Sequence, residues 1–67
     1  MFELFEVVKL AYSINNLQKG SIGTIVEKYD DDVYEVEFLD KDGYVIDCIA
    51  LNTKQISKLS EEELKQL

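Results

Sequence analysis

A small all-β domain is the fold the sequence predicts: five short strands in a closed or nearly closed barrel, ending in a short C-terminal helical turn. Three observations lead there. Residues 20–43, GSIGTIVEKYDDDVYEVEFLDKDG, hold two strand-like runs that meet across an acidic turn, with glycines toward both outer ends. The run VYEVEFL alternates cleanly, with Tyr34, Val36 and Phe38 on one face and Glu35 and Glu37 on the other. Further short runs of β-formers, separated by turn formers, flank that hairpin on both sides.

Residues 6–12, EVVKLAY, read as the first strand, and residues 2–5 as either a helical turn or the strand's lead-in. SINNLQKG, residues 13–20, concentrates turn formers around one apolar residue, so it is expected to fold over the core with Leu17 as its anchor. The second strand spans about residues 22–29. Gly23 inside it marks a bulge, a sharp bend or a close backbone approach, which would let Ile22, Ile25 and Val26 all reach a core. Asp30, Asp31 and Asp32 form the turn into VYEVEFL. Asp40-Lys41-Asp42-Gly43 is the next hairpin turn, with Gly43 supplying a positive φ. In the fourth strand, YVIDCIAL, Tyr44, Ile46, Cys48 and Ala50 share one face. Asp47 on the other face makes the first set the expected inner one, although a strongly bent strand could bury parts of both.

Gln55 to Leu59 is a short closing strand with Ile56 as its apolar residue. SEEELKQL then carries a capping box, Ser60 as N-cap and Glu63 at N3, with Glu61 and Glu62 at the positive end of the dipole. So short a helix frays unless Leu64 and Leu67 dock. The barrel therefore occupies residues 1–59 and the helical tail residues 60–67.

The chain has 67 residues, 14 Asp and Glu against seven Lys, no Arg and no His, for a net charge of −7. That field repels phosphate backbones, and Arg, the residue suited to bidentate phosphate and base-edge contacts, is missing. Nucleic acid is disfavoured as a partner; a basic protein surface is the natural complement. A chain this short buries only about 60% of its unfolded surface, so marginal stability is expected and a partner or homodimer can add buried area. Cys48, the one cysteine, sits in an apolar run and reads as a small buried core residue, which fits a reducing cytosol. MFELFEVVKL lacks the features of a signal peptide, and no apolar run approaches the ~20 residues of a membrane span. A cytoplasmic location without a membrane is expected.

The run Gly20-Ser21-Ile22-Gly23-Thr24-Ile25-Val26, followed by Tyr34-Glu35-Val36-Glu37-Phe38 and Asp42-Gly43, resembles the bacterial domain-of-unknown-function family 4926, whose core reads GxxGTIVExY…YEVEFxDxxG. Phe5-Glu6-Val7-Val8 and Leu10 resemble that family's first strand, and the similarity covers roughly residues 4–59. The resemblance implies an SH3-like barrel, similar also to the KOW segment of ribosomal and transcription-elongation proteins. It brings no catalytic residues. Members are often encoded beside small or toxin-like proteins, which implies an antitoxin, immunity or accessory-subunit role.

Asp40, Asp42 and Asp47 lack the further oxygen ligands and the final Glu of a calcium loop, so turn chemistry explains them better. With no His, and no Lys or Cys in a catalytic constellation, an enzyme is not expected, and neither is a cofactor or metal. The candidate partner-binding residues are Tyr12, Tyr29 and Tyr44, near the ends of three strands, and Asp30, Asp31 and Asp32 as an electrostatic landing point. The bland readings stand beside these: tyrosines half-buried as caps on the barrel's ends, and a solvated acidic turn. A non-catalytic protein-interaction module is the leading expectation. The alternative is a KOW-like nucleic-acid or ribosome-associated module, which needs Lys9, Lys19, Lys28 and Lys41 on one face. A structural homodimer is a third possibility.

Overall fold

A computed structural model describes all residues, 1–67. Five strands form one antiparallel sheet: β1 Val7–Leu10, β2 Ile22–Lys28, β3 Val33–Leu39, β4 Val45–Asn52 and β5 Ile56–Lys58. The helix α1, Glu61–Lys65, follows. The strand order is β4-β3-β2-β1-β5, that of an SH3-like barrel.

In a flat sheet the outer strands would stand nearly 20 Å apart at about 4.8 Å per step. Yet Leu51 of β4 and Ile56 of β5 belong to the same buried cluster as Val8, Leu10, Ile25, Tyr34, Val36 and Phe38. The sheet therefore curls around one core. A bulge at Val26 opposite β3 and another at Ile46 add twist. Closure stops short of a ladder: β4 and β5 are joined by the Thr53–Gln55 turn but do not pair, so both remain edges.

Within β3 the expected inner face, Tyr34, Val36 and Phe38, is fully buried. Leu17 is buried and anchors the 13–20 loop through a two-residue hairpin in which Ile14 and Leu17 exchange backbone hydrogen bonds of 2.9 Å. Gly43 turns the β3–β4 hairpin at φ 88°.

Gly23 resolves as a close approach. A Cβ there would lie 2.7 Å from Val36 Cγ1 and 2.8 Å from the Phe38 ring. Its inward neighbour is Ile25, whereas Ile22 faces solvent and the bulged Val26 is half-buried outside the core cluster, so neither joins the core as expected.

The inner face of β4 is also the reverse of the expected one. Tyr34 pairs with Leu51, Val36 with Ile49 and Phe38 with Asp47, and cross-strand partners share a face. Leu51 is buried and Ile49 packs against the core, while Tyr44, Ile46, Cys48 and Ala50 are exposed. Asp47 misled because it sits half-buried at the strand's open end, where its carboxylate turns back to accept the Cys48 N–H at 2.9 Å. Cys48 is consequently a surface thiol rather than a core residue.

Residues 2–5 are not a helical turn; they lead into β1 through a β-turn. Glu6 N–H donates to Glu3 C=O at 3.1 Å, and Phe5 stands at φ 67° in the third position, a type II arrangement. Phe5 N–H donates to Ile25 C=O while Ile25 N–H donates to Glu6 C=O, so Phe5 and Glu6 together oppose Ile25 in a G1-type bulge. That position ordinarily takes glycine. Phe5 is 71% exposed, so its ring gains little burial against a left-handed strain of about 1–2 kcal/mol. Phe5→Gly is expected to stabilise the fold, by up to about 1 kcal/mol after the glycine's own entropy cost, while Phe5→Ala leaves stability unchanged. Urea midpoints of the three chains check this; a destabilised Phe5→Gly would contradict it.

The capping box forms as expected: Glu63 N–H donates to Ser60 Oγ at 3.1 Å and Ser60 N–H to Glu63 Oε1 at 2.8 Å. Leu64 and Leu67 stay exposed, so the helix does not dock through leucines. It is tied to β1 instead by Lys9 Nζ to Glu63 Oε2 at 2.7 Å. The Lys9 hydrogen bond, helped by the Ser60 N–H, holds the Glu63 carboxyl below its ordinary value. A carboxyl so depressed gives its full contribution above the unfolded value near 4.3 and loses it as pH falls through the lower folded value. On acidification below about pH 4, the Glu63 and Leu64 amides should lose exchange protection before the β2–β3 amides do. Loss in one step with the sheet would contradict this tethering.

Candidate interaction surface

Each tyrosine named from the sequence lies just outside a strand and is exposed: Tyr12 beyond β1, Tyr29 beyond β2, Tyr44 before β4. They are not half-buried caps. They also do not form one site. Tyr29 shares the β2–β3 turn with Asp30, Asp31 and Asp32, whereas Tyr44 stands at the opposite end of β3, beyond the Asp40–Gly43 turn. Tyr12 follows Ala11, whose N–H donates to Gln55 C=O in the β4–β5 turn.

The three aspartates divide by role. Asp30 Oδ1 accepts from Asp32 N–H at 2.7 Å and Val33 N–H at 2.9 Å, which builds the turn. Asp40 does the same for Asp42 and Tyr44 in the next hairpin. Asp31 gives its backbone carbonyl to the Tyr34 hydroxyl. Only the carboxylates of Asp31 and Asp32 are free to meet a partner's charge.

A more continuous surface lies on the outer face of β2, β3 and β4, where the sequence reading placed no site. Glu35 and Glu37 project from β3; Glu27 of β2 is directly opposite Glu35, and Thr24 opposite Glu37. On the other side Ala50 and Cys48 of β4 pair with Glu35 and Glu37. Like charges directly across a ladder destabilise it, and Glu27, Glu35 and Glu37 form no ion pair. Their influence reaches neighbours. The Tyr29 hydroxyl donates to Glu35 Oε1 at 2.8 Å, and that bond raises the phenol above its ordinary value. Partial burial pushes the Cys48 thiol up, and the adjoining Glu35 carboxylate pushes it further. Such a thiol is a poor nucleophile at neutral pH.

Beyond the carboxylates, the outer face continues into Val45, which pairs with Leu39, and the bulged Ile46, 57% and 54% exposed, while Tyr44, 73% exposed, precedes β4 at its margin. β3 alternation already placed Glu35 and Glu37 together. Its Ile46 went unseen because β4 was turned the wrong way.

The lysines are distributed differently. Lys9 bonds Glu63, Lys58 bonds Glu6 at 3.1 Å while lying 5.5 Å from the Phe2 ring, and Lys28 is 4.0 Å from Glu3. The surface has no concave pocket, and no three His, Cys, Asp or Glu side chains converge as metal ligands. No helix is long and apolar enough to cross a membrane.

Residues 4–58 match the family described as Domain of unknown function (DUF4926). The chain belongs to that family. No curated protein and no solved structure matches it. Membership thus covers the whole sheet, from the Phe5 bulge to β5, and leaves α1 outside the matched span.

Proposed function

We propose that this member of the family is a non-catalytic protein-interaction module, the small acidic partner of a second protein, in an accessory, antitoxin or immunity role. The observation that supports it is the outer face of β2–β3–β4: three adjoining carboxylates without cationic partners, Glu27 across from Glu35 and Glu37 next along β3, beside the exposed apolar residues of β4. Isolated, that arrangement costs stability through like-charge pairing and leaves apolar side chains in water. A partner bringing positive charge and an apolar strip relieves both. Tyr29, Asp31 and Asp32 border the same face and extend it toward the β2–β3 turn; Tyr44 and Tyr12 lie at its margins or beyond.

The nucleic-acid reading has less behind it. It asks for free lysines on one face, but Lys9 and Lys28 lie against carboxylates, and Lys19 and Lys41 occupy separate loops. The test is calorimetric titration of the chain against the protein encoded beside it. Binding should weaken by about tenfold or more when Glu27, Glu35 and Glu37 are all replaced by Gln, and should weaken with salt. A partner that binds the triple variant as tightly as the parent chain contradicts this face as the contact.

A further inference from the structure

The open edge of β4 deepens that reading, and rests on it, by specifying how a partner is held. Thr53 N–H donates to Asp32 C=O at 3.1 Å, which fixes the phase of the β3–β4 ladder. Hydrogen-bonded pairs alternate with non-bonded ones in an antiparallel ladder. Tyr34–Leu51, Val36–Ile49 and Phe38–Asp47 are then the bonded pairs, and the backbone groups of Cys48, Ala50 and Asn52 point to the free edge.

Two of those three edge amides are covered by the chain itself. Asp47 Oδ1 takes the Cys48 N–H and Gln55 Oε1 takes the Asn52 N–H, both at 2.9 Å. Ala50 between them is left without a partner. Natural edges are guarded by Pro, Lys, short length, a bulge, an inward-pointing charge or a covering element. β4 has eight residues, no Pro and no Lys; its guards, the Ile46 bulge and the inward Asp47, lie in its first half and leave residues 48–52 open. At the other edge β5 has three residues, ends in Lys58 and runs directly into the tethered helix α1. The two edges are treated differently by the same sequence.

We infer that β4 accepts an extended segment of a partner protein as a sixth strand, centred on Ala50, with Lys or Arg on its outer face reaching over Ala50 and Cys48 toward Glu35 and Glu37. Charge selects this occupant over a second copy. The bare chain carries −7, and β4 pairing with itself would assemble −14 while leaving both carboxylate rows uncompensated. A basic strand there stands two strand spacings, roughly 9–10 Å, from the Glu35–Glu37 row, a gap that extended Lys or Arg side chains cross over the small Cys48 and Ala50. Main-chain bonds would supply the affinity and the carboxylates the choice of sequence.

The test uses the full chain with synthetic probes: a short peptide alternating Lys and Val, its Glu-for-Lys counterpart, and the Lys peptide with alternate amides N-methylated. Amide NMR should show the Lys peptide shifting Cys48, Ala50 and Asn52 and slowing exchange at Ala50. The Glu peptide should bind at least about tenfold more weakly. N-methylation should abolish binding. Ala50→Pro removes an N–H that the β3 ladder does not use, and should also abolish it; Glu35→Lys, which leaves the backbone alone, should narrow the preference for the Lys peptide over the Glu peptide. Shifts confined to other residues, equal binding of the N-methylated peptide, or dimerisation through β4 in place of peptide binding each overturn the sixth-strand proposal. A native partner that binds but contacts another face also overturns it while leaving the interaction-module reading standing.

Discussion

Replacing Gly23 by Ala should destabilise the domain by about 2–3 kcal/mol and lower its melting temperature by roughly 10–20 °C. The added Cβ has no free direction: it meets Val36 Cγ1 at 2.7 Å and Phe38 ring atoms at 2.8 and 2.9 Å. Both side chains are fully buried, so neither can swing into solvent. A domain of this size has only roughly 3–10 kcal/mol in total, so the loss is a large share of it. The effect is steric rather than conformational, because Gly23, unlike Gly20 and Gly43, does not sit at positive φ. Pairing the change with Phe38→Leu, which removes the ring atoms in contact, should therefore cost less than the sum of the two single changes. Strict additivity in urea melts would contradict the steric origin.

Tyr34→Phe should cost about 1–3 kcal/mol, a large effect for the loss of one oxygen. The hydroxyl donates to Asp31 C=O at 2.9 Å and accepts Phe2 N–H at 3.3 Å, joining the β2–β3 turn to the N-terminal arm inside the core. The ring itself stays well packed by Phe2, edge to face at 5.6 Å between centroids. Phe retains that contact but leaves the two backbone groups without their partner. Amide exchange at Phe2 in Tyr34→Phe that accelerates beyond the common increase the lower global stability gives the β3–β4 amides checks this local origin. An unaltered Phe2 amide would contradict it.

What the sequence made legible followed from how many independent signals agreed. β3 was readable to the residue because alternation, β-propensity and two flanking turns coincided, and the tail because a capping box is a local device. Leu17 was readable as the one apolar residue among turn formers. β4 was not, because its apolar residues fill both faces and the tie-breaker, Asp47, is a partly buried carboxylate that bonds its own backbone. That single inversion hid the exposed Ile46 and Cys48, and with them part of the candidate surface; Val45 faces outward only because of the Ile46 bulge. The Phe5 bulge was equally invisible, since a phenylalanine at left-handed φ carries no sequence signal. Glu27 opposite Glu35 depended on the Val26 bulge, which shifts register by one residue.

The central claim is that this chain works by holding another protein. It is tested most directly by purifying the chain at native expression from the cell that makes it and weighing what it carries. A second protein in fixed stoichiometry, released as salt is raised, is the predicted result. A chain that emerges alone at every salt concentration, and that ignores the product of the neighbouring gene, would contradict it.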